Sequence, residues 1–170
     1  MTGAAPRTVV VAAGVPDADL AAPLFDAYRQ FYGAPADLQA ARQFLAARLT
    51  RQESIVLLAL TEPPHGATSR EAVGFAQLYR SFSSLALGRI IVLNDLFVAQ
   101  PWRGCGIARR LLDAVESCAR GAGAVRIDLA TQHGNERALR LYEARGYVRD
   151  AGFAHLSLAL REDTAPATPD

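Results

Sequence analysis

The run from Asn94 to Leu112, NDLFVAQPWRGCGIARRLL, restricts the fold of this chain more than any other segment. An apolar strand runs into Pro101, a turn carrying arginine and glycines follows, and the turn opens directly into an amphipathic helix. Glycines without Cβ let the backbone come close to a ligand, and the first N–H groups of a helix have no partner within it. Arg103 to Arg109 can therefore offer several converging donors to an anion, a phosphate above all. The helix dipole adds partial positive charge there, and Arg103, Arg109 and Arg110 add full charges.

Three phosphate-binding patterns compete for this turn. A P-loop needs a lysine after its last glycine, and the chain contains no lysine. A dinucleotide fingerprint needs a third glycine where Arg109 stands. Asp128 lies about 20 residues on, where a ribose-binding acid is expected, so a dinucleotide-dependent oxidoreductase stays open as an alternative. Pro101 and Trp102 argue against it, because they stand where that fold makes its tight turn.

The third pattern is Gln or Arg, two residues, Gly, one residue, then Gly or Ala, which here reads Arg103, Gly104, Cys105, Gly106, Ile107, Ala108. Asp95, Leu96, Phe97 and Val98 precede it, and Asn135, Ala138, Leu141, Tyr142, Glu143, Gly146 and Tyr147 follow in the register N-x-x-A-x-x-L-Y-E-x-x-G-Y. Together these resemble the motifs of the GCN5-related N-acetyltransferases (GNAT), over residues 53–160 well and over the first fifty in outline. The resemblance implies the GNAT acyl-CoA N-acyltransferase fold and acetyl-CoA as cosubstrate. The pyrophosphate is then expected on the N–H groups of Gly104, Cys105, Gly106, Ile107, Ala108 and Arg109, and the pantetheine arm beside the main chain of Leu96, Phe97 and Val98, added like a strand. Asn135 and Tyr142 match positions that meet the pantetheine and the thioester sulfur.

The rest of the chain sets bounds. At 170 residues, with 51% of them hydrophobic, it suits one domain over residues 1–160, and the polar tail 161–170 is expected to be disordered. A net charge of +1 gives no support to a nucleic-acid or membrane-surface role. No apolar run approaches the ~20 residues of a membrane span and no secretory segment opens the chain, so a cytoplasmic location is expected. Cys105 and Cys118 are expected to be reduced thiols. No metal site is expected, since neither cysteine has a C-x-x-C partner and His65, His133 and His155 are scattered. His133 reads as a loop residue, and Cys105 as a turn position without a base beside it.

The pattern predicts strands at Thr8–Ala13, Ser54–Leu60 (closed by Pro63, Pro64 and Gly66), Ala72–Arg80 and Arg89–Ala99, with a hairpin loop at Ser81–Leu87. Helices are expected from an Asp17 N-cap through Tyr32 and from about Pro35 to Arg51. A helix over 106–120 closed by Gly121 and Gly123, a strand Val125–Thr131, a helix Asn135–Arg145 and strands near Tyr147 and Phe153–Leu160 complete the series. Consecutive strands give an antiparallel meander, and the strand–helix–strand crossover adds a parallel pair. The fold class is thus α/β of the α+β type: a mixed, largely antiparallel central sheet flanked by helices. Tyr28, Phe31 and Tyr32 read as core aromatics, although the resemblance places their helices beside an acceptor site.

The chemistry implied is attack of an amine, of a small molecule or a peptide, on the thioester. An amine of pKa near ~10 must first lose a proton, and a thiolate of pKa around ~8.5 leaves more easily with a donor. Tyr142 is the candidate donor. In several amine-acetylating members of the family that the chain resembles, a Glu stands at the place of Asn94, so Asp95, acting through water, is the remaining candidate base; capping or pairing with an arginine is its structural alternative. A strand amide near Val98 would meet the oxyanion. The missing Glu also leaves open a CoA-binding sensor or interaction module without catalysis. A homodimer is expected through the apolar run Phe153–Leu160.

Overall fold

The computed structural model describes residues 7–62 and 70–160, which form two compact units divided between Ala130 and Thr131. The cluster at Pro63, Pro64 and Gly66, His65 and the tail 161–170 lie outside the described residues.

The first unit holds a five-stranded sheet in sequence order: β1 (Thr8–Ala12), β2 (Ser54–Thr61), β3 (Ala72–Ser83), β4 (Gly88–Val98) and β5 (Arg126–Leu129). β1 to β4 pair antiparallel, and β5 runs parallel to β4. Three helices join them, α1 (Ala18–Phe31), α2 (Leu38–Thr50) and α3 (Ile107–Gly121). The mixed sheet is the one expected, and its three antiparallel pairings rule out the parallel sheet of a dinucleotide fold.

Alternation along β2 and β3 sorts the core into two layers. Val56, Leu58, Leu60 and Phe75 pack with Ala18, Ala21, Ala22, Leu24 and Phe25 of α1 and Ala41 and Leu45 of α2. On the opposite face, a Cβ at Gly74 would lie 3.3 Å from both Ile107 Cγ2 and Leu111 Cδ1 and 2.9 Å from the Phe97 carbonyl oxygen, so glycine there sets how closely α3 approaches the sheet. Two irregularities interrupt the ladders. The β2–β3 register shifts between Ala59 and Leu60, and in β3–β4 Gln77 pairs with Asp95 while Leu78 pairs with Leu93, which leaves Asn94 as a bulge.

Several boundaries differ from those expected. Asp17 stands at the N-cap of α1 as expected, but its side chain makes no cap hydrogen bond there; it ends a 3-10 turn, Val15–Asp17, and its Oδ2 accepts from Gly14 N at 2.8 Å. α2 starts at Leu38 because Asp37 caps it, accepting from Ala40 N at 2.9 Å. The carboxylate of Asp26, buried in α1, fixes this corner by accepting from Asp37 N (2.9 Å), Gln30 Nε2 (2.9 Å) and Arg29 Nη1 (3.0 Å). The hairpin loop shrinks to residues 84–87, since β3 continues to Ser83, opposite Gly88. Gly123, with φ +66°, closes α3: its N–H reaches Arg120 O and that of Ala124 reaches Ala119 O.

The second unit contains one regular element among the described residues, α4 (Glu136–Glu143). The strands expected near Tyr147 and over Phe153–Leu160 do not form. Apolar alternation specifies a strand only where a neighbouring edge accepts its hydrogen bonds, and the described residues of this unit contain no strand. Asp150 instead folds the chain into a turn, its Oδ1 accepting from Gly152 N and Phe153 N, and residues 148–160 are exposed.

Candidate active site

The turn after β4 takes the backbone form that its glycines lead one to expect. After a 3-10 turn, Gln100–Trp102, Gly104 and Gly106 both take left-handed backbone conformations, with φ +87° and +79°. Such angles cost a residue with a Cβ roughly 1–2 kcal/mol, which accounts for glycine at both places. A Cβ at either would meet nothing within 4 Å. Arg110 N is the first amide of α3 with an acceptor, Gly106 O at 3.2 Å. The N–H groups of Gly104, Cys105, Gly106, Ile107, Ala108 and Arg109 therefore have no acceptor among the described residues, which suits a multiply charged anion such as a pyrophosphate. Ile107 is anchored in the core, and Gly104, Cys105, Gly106 and Arg109 are exposed.

Two of the arginines are otherwise engaged. Arg110 Nη1 bonds the Thr8 carbonyl (2.9 Å) and Oγ1 (2.8 Å), so it ties α3 to β1. Arg103 turns back along the strand, its Nε donating to Val98 O at 3.0 Å. Its guanidinium lies 5.4 Å from the Phe97 ring centroid and 5.6 Å from that of Phe31.

β5 accompanies β4 only from Ile90 to Leu93, where Leu93 pairs with Leu129. Beyond that point Leu96, Phe97 and Val98 are bonded to β3 on one side and, among the described residues, to no strand on the other. An open edge of this kind can accept an extended ligand by main-chain pairing. The open stretch begins at the bulge, beside the turn of unpaired amides.

Asp95 is buried next to it, 5% exposed. Its Oδ1 accepts from Asn94 Nδ2 at 3.0 Å, while Oδ2 is buried without a well-formed hydrogen bond. Burial raises its pKa, and the hydrogen bonds from Asn94 and Tyr28 only partly oppose that. No arginine pairs with it among the described residues, so that alternative for Asp95 falls away. Tyr28 packs edge-on against Phe75 (5.9 Å) and Phe97 (6.2 Å), whereas Phe31 and Tyr32 are 55% and 43% exposed. The hydroxyls of Tyr32 and Tyr79 titrate above the usual tyrosine range, first through burial and then through Asp95.

Sequence reasoning missed Gln77 and Tyr79. Gln77 is fully buried opposite Asp95, and its Nε2 donates to the Tyr79 hydroxyl at 3.0 Å. The signal was present: Phe75, Gln77 and Tyr79 share one face of an otherwise apolar strand, and a glutamine in such a row needs a polar partner inside.

In the second unit, Asn135 and Tyr142 bracket α4. Asn135 Oδ1 caps the helix, accepting from Ala138 N at 3.2 Å. Gly146, with φ +89°, terminates it, with Gly146 N bonded to Glu143 O and Tyr147 N to Tyr142 O. The rings of Tyr142 and Tyr147 meet at 5.6 Å, the apolar contact that accompanies such a helix stop. Much of the N-x-x-A…Y-E-x-x-G-Y register is thus the start and stop of one helix. Tyr142 is 8% exposed, and His133 is an exposed loop residue.

Cys105 and Cys118 are free thiols. Asp128, the acid of the dinucleotide alternative, accepts from Arg126 Nε at 2.8 Å on β5.

Comparison with known proteins places this architecture. Residues 21–147 match the acetyltransferase (GNAT) family. The chain is 45% identical over 142 residues to the uncharacterized N-acetyltransferase YhfO of Bacillus subtilis (strain 168), covering 84% of this chain and 91% of that one. A crystal structure of a probable acetyltransferase superposes with a TM-score of 0.81 at 39% identity, over 91% of this chain and 99% of that one. The thialysine N-epsilon-acetyltransferase of Bos taurus is 36% identical over 74 residues, 44% of this chain and 43% of its own. The chain belongs to the GNAT family of acetyltransferases.

Proposed function

We propose that this chain moves the acetyl group of acetyl-CoA to a primary amine of a small molecule or peptide by direct attack. The observation that carries the reading is the row of six amides without acceptors at residues 104–109, set beside the unpaired edge of β4. The first fits a pyrophosphate and the second an extended amide-bearing arm, the two halves of CoA. The family match and the relative named for acetylating the ε-amine of thialysine support an amine acceptor.

Bound acetyl-CoA supplies the activated acetyl group. The residues supply position and proton handling. Gly104, Cys105, Gly106, Ile107, Ala108 and Arg109 hold the pyrophosphate on their N–H groups, and Leu96, Phe97 and Val98 align the arm. Asp95, whose burial raises its proton affinity, takes the ammonium proton through water. Tyr142 protonates the departing thiolate, Asn135 steadies the arm, and a strand amide near Val98 stabilises the oxyanion. Residues 1–160 act as one domain, a reading supported by a family match that spans both compact units.

The protein works as a cytoplasmic homodimer with no metal, nucleic acid or membrane partner. Support for the dimer is the exposed apolar run that includes Phe153, Leu156, Leu158 and Leu160. No helix among the described residues is long and apolar enough to cross a membrane.

The test is release of free thiol from acetyl-CoA with a panel of amino acids, polyamines, aminoglycosides and peptides, run beside calorimetric titration of acetyl-CoA. Turnover with at least one amine supports the reading. Tight binding with no turnover on any amine replaces it with a CoA-binding module, and absence of binding removes the assignment of the turn.

A further inference from the structure

Gln77 and Asp95 each leave a buried side-chain oxygen without a hydrogen-bond partner. They are partners across the β3–β4 ladder, so their side chains leave the same face of the sheet. Gln77 is 0% exposed and Asp95 5%. Gln77 Nε2 donates to the Tyr79 hydroxyl, Gln77 Oε1 is buried with no partner, and Asp95 Oδ2 is likewise buried without one. Two acceptors opposite one another both lack a donor, and a buried acceptor left so costs roughly 1–3 kcal/mol. One proton between them satisfies both.

We propose that Gln77 is a positioning residue that holds Asp95 in its neutral form, its Oε1 accepting the hydrogen bond donated by a protonated Asp95 Oδ2. The surroundings favour a neutral acid. Tyr28 and Tyr32 face it from α1 and Tyr79 from β3, all uncharged at neutral pH, and its neighbour Asn94 is neutral. Arg48 of α2 and Glu53 before β2 act on Tyr79 and pair with each other. Gln77 thereby sets the pH at which Asp95 becomes able to take a proton. This concerns the resting chain and holds whatever acyl donor or acceptor it uses.

The test needs no ligand. In protein labelled with carbon-13 at aspartate carboxyls, the Asp95 resonance is the one missing from Asp95→Asn, and its titration midpoint is followed by NMR. Gln77→Met keeps the side-chain volume and removes the acceptor, and Gln77→Asn draws the amide back by one methylene should the first variant not fold. Losing an acceptor for the neutral acid destabilises the neutral form, so in either variant the midpoint should fall by roughly half a pH unit to one unit. The pH at which acetyl transfer reaches half its plateau should fall with it. A merely structural glutamine would leave the midpoint in place. A midpoint that rises means that Gln77 presents its Nε2 to an ionised Asp95, and a midpoint that is unchanged means that the two do not interact; either result overturns the proposal.

Discussion

Replacement of Gly106 separates what the turn does for folding from what it does for binding. Gly106 has φ +79° and a Cβ there meets nothing within 4 Å, so Gly106→Ala costs backbone strain without collision. That strain is about 1–2 kcal/mol, and for a chain of this length each kcal/mol lowers Tm by roughly 2–4 °C. Gly106→Asp carries the same strain, but its carboxylate sits at the N-terminus of α3, where the helix dipole returns about 0.3–1 kcal/mol. The aspartate variant should therefore melt no lower than the alanine variant. Affinity should run the other way. A carboxylate ~4 Å from a phosphate oxygen at a protein surface is opposed by up to about 4 kcal/mol, so even half of that weakens acetyl-CoA roughly 30-fold beyond the alanine variant. Differential scanning calorimetry and isothermal titration measure the two orders on the same samples. An aspartate variant that is folded and binds acetyl-CoA as tightly as wild type refutes the assignment of residues 104–109 as the pyrophosphate seat.

Asp95→Asn should raise Tm at pH 7 and lower turnover. The native state keeps its Asp95 proton to a higher pH than the unfolded chain, so this residue makes stability fall as pH climbs from the ordinary carboxylate range through the raised value. The gain of the asparagine variant over wild type should accordingly vanish in acid, and a gain of equal size at every pH would contradict this. Tyr142→Phe keeps the ring contact with Tyr147 and should lower kcat by about 10²-fold or more with KM for acetyl-CoA little changed; steady-state kinetics showing wild-type turnover would remove the hydroxyl from the reaction. Multi-angle light scattering should find a dimer at micromolar concentration, and an 18.2 kDa species alone would refute it.

The elements that could be read from the sequence were those whose signals are local. The strand–turn–helix at 94–112 announced itself through glycines, a proline and a helical stripe, and it formed in place. The Asp95 position was visible for the same reason. Its partner Gln77 was not, because opposition across a ladder depends on a register that a bulge has shifted. Phe153–Leu160 misled in the reverse sense, since its alternation is strand-like while the edge it would need is a tertiary fact. Asp17 and Asp37 both look like helix caps, and only the backbone geometry before each helix separates them. The fourth helix shows a further limit: residues of the A-x-x-L-Y-E-x-x-G-Y register that suggest chemistry also write a helix ending, and the sequence does not divide the two roles.

At Asn94, the register of the ladder matters more than side-chain identity. Before the bulge, Leu93 lies opposite Leu78, on the side of the sheet where Gly74 meets α3; after it, Asp95 and Phe97 lie opposite Gln77 and Phe75, on the side of Tyr28. The bulge works as a frame shift in the pleat: iron it out with Asn94 taken into the ladder opposite Gln77, and every position from Asp95 to Val98 changes sides, with the carboxylate carried behind the sheet and Leu96 delivered to the tyrosines. A glutamate, an alanine or an asparagine at this place all preserve the frame. Variation here should therefore be free in residue type, as long as the ladder keeps Asp95 opposite Gln77, much as a reading frame tolerates substitution but not a slip.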